Sequence, residues 1–338
     1  MIEIDGSYGE GGGAVLRTTT ALSAVTSKPV HITNIRFGRP KPGLMPQHLN
    51  AVKAVADLSC ASVTGLELES NEVFFYPGSL RGGNYNIDIK TAGSMILILQ
   101  AFILPAIFSD GPVKINIIGG SDVRWSPSVD YLENVTIPIL RLMGCKVKTN
   151  FIQRGHYPRG GGLLELEVDP IQKLRPLDLI DQNFDCIYGI SHCVKLPAHI
   201  AERQAISAEK ILQSAGYPSK IRIQHSNKSI GSGSGIILWT NGITPVGGSS
   251  IGAPGKRAEQ VGSEAANEIL YHISRKSALD RYMGDQIIPY IGLAGNSRIK
   301  TAELTQHTLT NIYITEKFLN KKFQVDGILG ESAIISVD

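Results

Sequence analysis

Apolar and polar positions follow two periods along the chain, one typical of strands and one typical of helices. From Ile87 the segment IDIKTAGSMILILQAFILPAIF opens as an alternating strand and passes through glycine into an apolar helical run. That run, residues 95–108, is shorter than the roughly 20 residues of a bilayer span, and Gln100 and Pro105 interrupt it. We therefore predict a buried helix here and no membrane partner.

The same order of elements occurs twice in the first half of the chain. From Ile4, and again from Ile87, a strand leads through glycine into an apolar helix, a turn with proline and a second strand. A second helix and two strands follow in each unit, which closes near FYPGSLRGG or HYPRGGG. The spacing is about 80 to 85 residues. This pattern predicts an α+β fold of βαβαββ repeats, each a four-stranded sheet with two helices on one face.

A third unit is split in the sequence. GGGLLELEVDP begins a strand region, but the matching glycine and helix segment comes only at YIGLAGNSRIKTAELTQHTLTNIYITEKFL. The residues between them have their own amphipathic helices and alternating strands, such as KIRIQHS and SGIILWTN, which predict a smaller inserted α/β domain. We assign residues 178–280 to this inserted domain. The large domain then has three repeats, about 1–84, 85–162, and 163–177 with 281–338.

Composition and charge limit the function classes. A chain of 338 residues is too long for one core of the usual size, and 42% hydrophobic with 19% charged residues is ordinary for a globular protein. The net charge of +3 gives no global basic field, so contact with nucleic acid requires a local basic patch. The four cysteines show no CxxC spacing and the N-terminal segment resembles no targeting peptide, so we expect reduced thiols and a cytoplasmic location.

Two standard nucleotide-binding motifs almost match and then fail. SSIGAPGKR resembles a phosphate loop, but Ser250 replaces its first glycine and Arg257 stands where Ser or Thr should hold magnesium. GEGGGA, residues 9–14, fits a dinucleotide fingerprint, yet the next strand ends without the acidic residue that binds a ribose. Neither motif by itself predicts a nucleotide site.

The loop RFGRPKPGLMPQHL, residues 36–49, is a candidate phosphate site. Its prolines stiffen the segment that carries Arg36, Arg39 and Lys41, and arginine forks match phosphate oxygens. Glu10 and Arg17 flank the first glycine cluster, where amides at a helix start attract anions and a carboxylate could hold a divalent cation. An ordinary solvated loop is the alternative interpretation.

Two further segments contain candidate chemistry. In YMGDQIIPYIGLAGNS, residues 282–297, Tyr282 could stack on a base and Asp285 could hold a histidine or a cation; a simple loop entering a strand is the alternative. In TQHTLTN, Thr308 is a plausible N-cap, which would leave His307 just outside a helix N-terminus. Amides there draw a phosphate towards the ring, and the helix dipole favours the neutral, nucleophilic imidazole. A half-exposed polar residue is the ordinary alternative.

Five motifs together resemble the RNA 3′-terminal phosphate cyclases, in the right order along essentially the whole chain. They are GEGGGAVLRT, IRFGRPKPGLMPQHL, RGHYPRGGG, GDQIIPYIGLAG and HTLTN. The resemblance implies three repeats, with a smaller domain inserted in the third. It also implies a reaction that uses ATP and a divalent metal, Mg²⁺ or Mn²⁺, to convert an RNA 3′-phosphate into a 2′,3′-cyclic phosphate.

The resemblance also implies roles for residues at matching positions. His307 matches the nucleophile that forms a covalent adenylate, and Glu10 matches a metal-linked carboxylate. The positions that match nucleotide contacts are Gln100, Pro127, Tyr282, Met283, Gly284, Asp285 and Gln286. The positions that match contacts to the RNA phosphate end are Arg17, Arg36, Arg39, Gln47 and His48.

Other functions stay open at this point. One branch of the family lacks the histidine and serves in ribosome assembly, so an RNA-end-binding scaffold is the alternative; this chain has His307, which favours the catalytic branch. An enolpyruvyl-transferase-like enzyme is a third option, because that group shares a related repeat. The expected partner is RNA with a 3′-phosphate end. The sequence does not fix the oligomeric state, for which a homodimer is one option.

Overall fold

The first sheet is a βαβαββ unit. The computed structural model describes all 338 residues. The first six elements are β1 (Ile2–Asp5), α1 (Gly13–Thr26), β2 (Val30–Thr33), α2 (Pro46–Leu58), β3 (Ser62–Thr64) and β4 (Val73–Tyr76). The strand order is β1-β2-β4-β3, with β1 parallel to β2 and the other pairs antiparallel. A parallel pair needs a crossover, which α1 supplies.

The second sheet repeats this topology. Its elements are β5 (Gly83–Asp88), α3 (Met95–Ala106), β6 (Val113–Gly119), α4 (Val129–Tyr131), a π-helical turn (Leu132–Thr136), α5 (Ile137–Leu142), β7 (Lys146–Gln153) and β8 (Gly162–Asp169). The order β5-β6-β8-β7 matches that of the first sheet. The predicted repeat is confirmed.

The third unit is interrupted after one short strand. β9 (Asp178–Leu179) is followed by the inserted elements β10 (Ile187–Val194), α6 (His199–Ser214), β11 (Ser219–Ser226), β12 (Gly233–Thr240), β13 (Gly247–Ile251) and α7 (Ala258–Ser274). The inserted strands form their own sheet, in the order β11-β10-β12-β13. We call residues 180–279 the inserted unit.

The chain then returns to complete the third sheet. The remaining elements are α8 (Arg281–Gln286), α9 (Ile288–Ala294), β14 (Ser297–Thr301), α10 (Gln306–Phe318), β15 (Phe323–Asp326) and β16 (Ala333–Val337). The order β9-β14-β16-β15 again matches the first sheet, with β9 parallel to β14. The α+β class with three repeats and a smaller inserted sheet is therefore confirmed.

Two details of the predicted boundaries differ from the structure. β8 pairs with β6 and β7, so residues 162–169 close the second sheet and do not open the third. β9 opens the third sheet at Asp178, inside the range that the sequence analysis gave to the inserted domain. The alternation of Leu164, Leu166 and Val168 identifies a strand but carries no information about its partner, which explains the error.

The three repeats share one interior. A single cluster of 60 buried hydrophobic residues draws on all three, whereas the inserted unit has a separate cluster of 11. A small cluster joins Tyr131 and Val135 of the second repeat to Ile190 and Ile237 of the inserted unit. The inserted unit therefore has its own core and packs against the second repeat.

The inserted unit leaves and re-enters the third repeat at one place. The amide of Ala278 donates to the carbonyl of Ile180 at 3.1 Å, and Leu279 bridges to Thr301 on β14. The two ends of the insertion are thus joined by hydrogen bonds beside the third sheet.

Helix α3 is the predicted buried helix. Every residue of α3 except Leu97 and Gln100 is buried, and these two, spaced three apart, lie on one side of the helix. The prediction of a core helix is confirmed. No helix of the chain has both the length and the apolar character needed to cross a membrane.

Replacing Phe102 tests the shared core. Its ring is 0% exposed, so Phe102→Ala leaves a cavity and should lower the free energy of unfolding by about 3–5 kcal/mol. Urea or thermal denaturation measures the loss. The matched control is Phe37→Ala, because Phe37 is 71% exposed and should cost little. Equal stabilities of the two variants would contradict this account of the core.

Candidate active site

A cavity of about 850 Å³ opens where the three repeats and the inserted unit meet. Leu97 and Gln100, the two partly exposed residues of α3, both line it. Nine of the predicted site residues line this one cavity: Glu10, Arg17, Gln100, Pro127, Tyr282, Met283, Asp285, Gln286 and His307. Residues far apart in sequence therefore meet at one site, and their roles stay predictions.

His307 lies in the first turn of α10. The N-cap is Thr305, whose hydroxyl accepts a hydrogen bond from the Thr308 amide at 3.1 Å. The prediction that Thr308 is the N-cap was wrong by three residues, because several threonines in this segment can cap and only the backbone conformation selects one. His307 is consequently inside the helix start, still at the positive end of the helix dipole.

A carboxylate holds one nitrogen of the His307 ring. His307 Nδ1 lies 3.2 Å from Glu10 Oε1, and Glu10 Oε2 lies 3.7 Å from the Arg39 guanidinium. The His307 and Glu10 side chains are 41% and 40% exposed, so both are accessible from the cavity. A carboxylate beside Nδ1 favours the tautomer with its proton there, which leaves the lone pair on Nε2.

Asn311, one turn further along α10, connects three helices below the histidine. Its side-chain amide donates to the Asp285 carbonyl at 2.9 Å, and its oxygen accepts from the Thr18 hydroxyl at 2.8 Å. Asn311 is buried. These bonds hold α10 against α8 and α1. They therefore fix the position of His307 relative to Arg17 and Asp285.

Asp285 and Arg17 both line the cavity, and both are partly buried. Burial raises the pKa of Asp285 well above its ordinary value, and Asp280 and Glu10 add to this, while Arg17 opposes it. Burial lowers the pKa of Arg17 to about 10, which Asp285 partly offsets. Arg17 thus stays cationic near neutral pH and supplies positive charge beside a carboxyl group that burial biases towards its neutral form.

Segment 281–286 is a helix and not the predicted loop before a strand. Asp280 is its N-cap and accepts from the amides of Tyr282 and Met283 at 2.9 and 2.8 Å. The same carboxylate accepts from the Tyr131 hydroxyl at 2.7 Å and from the Gly247 amide at 2.8 Å. Asp280 is fully buried and joins α8 to the second repeat and to the inserted unit.

The hydroxyl of Tyr282 is already occupied. It donates to Glu268 at 2.6 Å and accepts from Arg281 at 2.7 Å. Its ring meets the Tyr131 ring edge-on, with the centroids 6.3 Å apart. Glu268 belongs to α7, so this contact joins α8 to the inserted unit beside the cavity. The ring of Tyr282 lines the cavity.

Gly284 does not line the cavity. A Cβ at this position would lie 2.2 Å from the Thr301 hydroxyl oxygen, so the residue packs on β14 and must be small. On the other side of α8, Gln286 accepts from the Thr136 hydroxyl at 3.4 Å. The predicted nucleotide contact of Gly284 has no geometric support, and its role here is close packing.

Arg39 and His48, two of the other predicted phosphate residues, form a second cluster with Arg17 at the start of α1. A Cβ on Gly12 would lie 3.1 Å from the Arg39 guanidinium, and one on Gly13 would lie 2.5 Å from the His48 ring and 3.0 Å from Arg17. Glycine at these positions lets cationic side chains approach the helix N-terminus closely. Arg17 belongs to both groups and connects this cluster to the cavity.

Arg36 orders its own loop. Its guanidinium donates to the carbonyls of Lys41 and Gly43 at 2.6 and 3.0 Å. Arg36 was predicted to lie near a phosphate, whereas these bonds direct at least part of its guanidinium towards the loop backbone. We interpret Arg36 as a residue that holds the segment carrying Arg39.

Gln47 and His48 lie at the start of α2. Gln47 Oε1 accepts from the Ser94 amide at 3.2 Å, which connects α2 to the start of α3. His48 Nδ1 accepts from the Met45 amide at 3.3 Å. Burial, together with Arg17 and Arg36, lowers the pKa of His48 to about 3, so its ring is neutral at pH 7.

Several residues that line the cavity escaped the sequence analysis. Arg124 and Trp125 follow β6, and Trp125 is 95% exposed. Ser250 and Lys256 come from SSIGAPGKR, the segment that fails as a phosphate loop, and Lys256 pairs with Glu264. The two glycines and the adjacent Lys256 and Arg257 of that segment were a usable signal, but its position beside the other repeats could not be read from the sequence.

Comparison with known proteins identifies the family. Residues 8–325 match the family model described as RNA 3′-terminal phosphate cyclase. Because the match spans most of the chain and agrees with the three repeats, the chain belongs to the RNA 3′-terminal phosphate cyclase family. The resemblance predicted from the five motifs is confirmed.

Similar proteins of archaea cover the whole chain. It is 51% identical over 337 residues to the RNA 3′-terminal phosphate cyclase of Methanothermobacter thermautotrophicus, covering 100% of both proteins. It is 48% identical over 341 residues to the protein of the same name from Pyrococcus furiosus, covering 100% of this chain and 98% of that protein. The chain and these relatives therefore correspond over their full lengths.

The buried ring of His48 predicts a pH-dependent stability. Its pKa is about 3 in the folded chain against 6.5 ordinarily, so below about pH 6.5 the unfolded chain takes up a proton that the folded chain does not. This lowers stability as pH falls. His48→Gln removes this contribution. When the pH falls from 7 to 5, the free energy of unfolding of the variant should therefore rise by roughly 1–2 kcal/mol relative to that of wild type.

Urea denaturation at the two pH values measures this difference. The control is His199→Gln, at the exposed start of α6. Its free energy of unfolding should change between the two pH values by the same amount as that of wild type. A His48→Gln variant whose stability relative to wild type is the same at both pH values would contradict the buried, neutral ring.

Proposed function

We propose that the protein converts an RNA 3′-phosphate end to a 2′,3′-cyclic phosphate with ATP as co-substrate, through a covalent histidyl-AMP and an RNA-adenylate. One observation carries the proposal: His307, at a helix start on the cavity wall, has Nδ1 beside Glu10, which leaves Nε2 as the nucleophilic nitrogen. The confirmed family supports the same conclusion.

In the first step the His307 imidazole attacks the α-phosphorus of ATP. The N–P bond forms as the bond to pyrophosphate breaks, and the Nδ1 proton remains beside Glu10. Glu10 then stabilises the positive charge that develops on the ring. The phosphoramidate keeps a high transfer potential, because imidazole is a good leaving group.

The cavity suits a nucleotide in size and in polarity. About 850 Å³ accommodates a molecule of this class, and its wall combines Pro127 and the exposed Trp125 with the cationic Arg17 and Arg124. Gln100 and Gln286 offer amide groups for a base edge. We assign contacts with the base to the part of the wall that holds Gln100, Pro127 and Gln286. We assign contacts with the triphosphate to the part that holds His307.

A divalent metal fits beside Glu10. Its carboxylate is 40% exposed, and hard oxygen ligands of this kind suit Mg²⁺ or Mn²⁺. When bound, the ion would neutralise phosphate charge. Glu10 itself orients His307, and Arg39 beside it keeps positive charge near the same oxygens.

The second cluster is suited to the RNA end. Arg17, Arg39 and the amides at the start of α1 form a cationic group next to Glu10 and His307. In the second step a 3′-phosphate oxygen attacks the phosphorus of the histidyl-AMP, and the imidazole leaves. The neighbouring 2′-hydroxyl then attacks the 3′-phosphorus, loses its proton, and AMP departs. This last attack is intramolecular, and effective molarities for such steps reach about 10⁵ M or more.

Labelling with α-³²P-ATP tests the covalent step. Wild type with Mg²⁺ should acquire an acid-labile label, whereas His307→Ala should acquire none, because no other residue is proposed to form the N–P bond. His199→Ala, with an exposed histidine on the inserted unit, is the matched control and should label like wild type. Unlabelled wild type that still binds RNA 3′-phosphate ends would favour the scaffold function of the same fold.

An RNA end without its 2′-hydroxyl tests the last step. An oligonucleotide with a terminal 2′-deoxy-3′-phosphate should be adenylylated and accumulate, because the intramolecular nucleophile is missing. The same oligonucleotide with a ribose end should give cyclic phosphate and AMP. Chromatography of the two products distinguishes them, and a cyclised or otherwise consumed deoxy end would rule out this order of steps.

A further inference from the structure

A second group of potential ligands lies away from the cavity, where the second repeat meets the inserted unit. It consists of Asp122, which follows β6, His156, between β7 and β8, and His192 on β10. One ligand atom from each residue lies within 4.8 Å of the other two, and the three residues are 3%, 3% and 2% exposed. The group is therefore compact and enclosed.

The two imidazoles have polar atoms without partners. Neither ring nitrogen of His192 makes a hydrogen bond, and neither does Nε2 of His156. Burying a polar group without a partner is unfavourable, so three such atoms on two adjacent rings require an explanation. An ion that accepts one lone pair from each ring would partner two of the three nitrogens.

One distance in the group has the length expected around an ion. His192 Nε2 lies 3.6 Å from Asp122 Oδ1, which is too long for a good hydrogen bond. Two ligands at about 2.0–2.2 Å from a tetrahedral zinc ion are about 3.3–3.5 Å apart. The distance between His192 Nε2 and Asp122 Oδ1 is therefore close to that expected between two ligands of one zinc ion.

Two glycines of β12 make room for the rings. A Cβ at Gly233 would lie 2.2 Å from the His156 ring, and one at Gly235 would lie 3.0 Å from the His192 ring. Glycine weakens a strand interior and often marks a close approach. Here the sequence GSG of residues 233–235 lets both imidazoles meet beside one strand.

Hydrogen bonds from the protein orient the Asp122 carboxyl group. Arg154 donates to both oxygens of Asp122 at 3.3 and 3.4 Å, and more closely to Asp130 at 2.7 and 3.0 Å. The Ser121 hydroxyl donates to Asp122 Oδ2 at 2.6 Å. Oδ2 therefore has the shorter bonds from protein donors, while Oδ1 accepts only the 3.4 Å bond from Arg154 and lies 3.6 Å from His192 Nε2.

We propose that Asp122, His156 and His192 bind one divalent transition-metal ion, zinc by the chemistry of its ligands. Two imidazoles and one carboxylate suit zinc and its borderline neighbours better than Mg²⁺ or Ca²⁺, which prefer oxygen. Three protein ligands leave one tetrahedral position for water. The site is separate from Glu10 and from the proposed reaction.

The ion would connect two units and steady one wall of the cavity. His192 belongs to the inserted unit, and the other two ligands belong to the second repeat. Asp122 directly precedes residues 123–127, which line the cavity. Fixing Asp122 therefore fixes the start of the loop that carries Trp125 and Pro127.

Cobalt substitution tests the proposal without nucleotide or RNA. Wild type stripped with a chelator and dialysed should bind one equivalent of Co²⁺ with the visible absorption of a four-coordinate ion, and Zn²⁺ should displace it. His192→Gln and His156→Gln should weaken this binding at least tenfold. Two controls should keep it: His199→Gln on the same inserted unit, and Glu10→Gln at the candidate active site, which separates this ion from the one proposed there.

Stability gives a second measurement. Zinc at 100 times the wild-type Kd should raise the unfolding midpoint of wild type more than that of His192→Gln, because the folded variant binds zinc at least tenfold more weakly and is stabilised less by the same zinc concentration. Folded wild type that shows neither the cobalt spectrum nor a zinc-dependent midpoint would overturn the proposal. Undiminished cobalt binding by both folded glutamine variants would overturn it as well.

Discussion

The carboxylate of Asp280 is the contact on which the candidate site depends most. It is completely buried, and burying a charge is tolerated only when hydrogen bonds replace the water it loses. Its partners are two amides of α8, the hydroxyl of Tyr131 and the amide of Gly247. The second repeat, the third repeat and the inserted unit therefore meet at one charge, directly under the helix that lines the cavity.

The site exists only between units. α1 carries Arg17, α3 carries Gln100 and α10 carries His307, so each repeat contributes at least one helix to the wall. The inserted unit adds Lys256 and Glu268. A duplicated unit with its own sheet can thus gain a new function without changing its topology, because the chemistry lies on surfaces that the repeats turn towards one another.

Much of this arrangement was predictable from the sequence, for identifiable reasons. The repeats, the buried α3 and the helices of the inserted unit follow from local periodicity. The family follows from five motifs, and nine of the residues predicted from the resemblance line one cavity. Three features were not predictable: the partner of β8, the choice of Thr305 as the cap, and the contacts of Arg36 with its own loop. Each depends on which backbone groups lie nearby in space, and local sequence does not encode that.

The interruption of the third repeat sets an order of assembly. β9 leaves the ribosome before the whole inserted unit, and its neighbour β14 only after it, so the third sheet cannot close until that unit has been made. The hydrogen bond from Ala278 to Ile180 then draws the two ends together and shortens the effective separation of the strands. The first two sheets can form earlier, because all their strands precede β9, whereas α10 with His307 is synthesised only after the inserted unit.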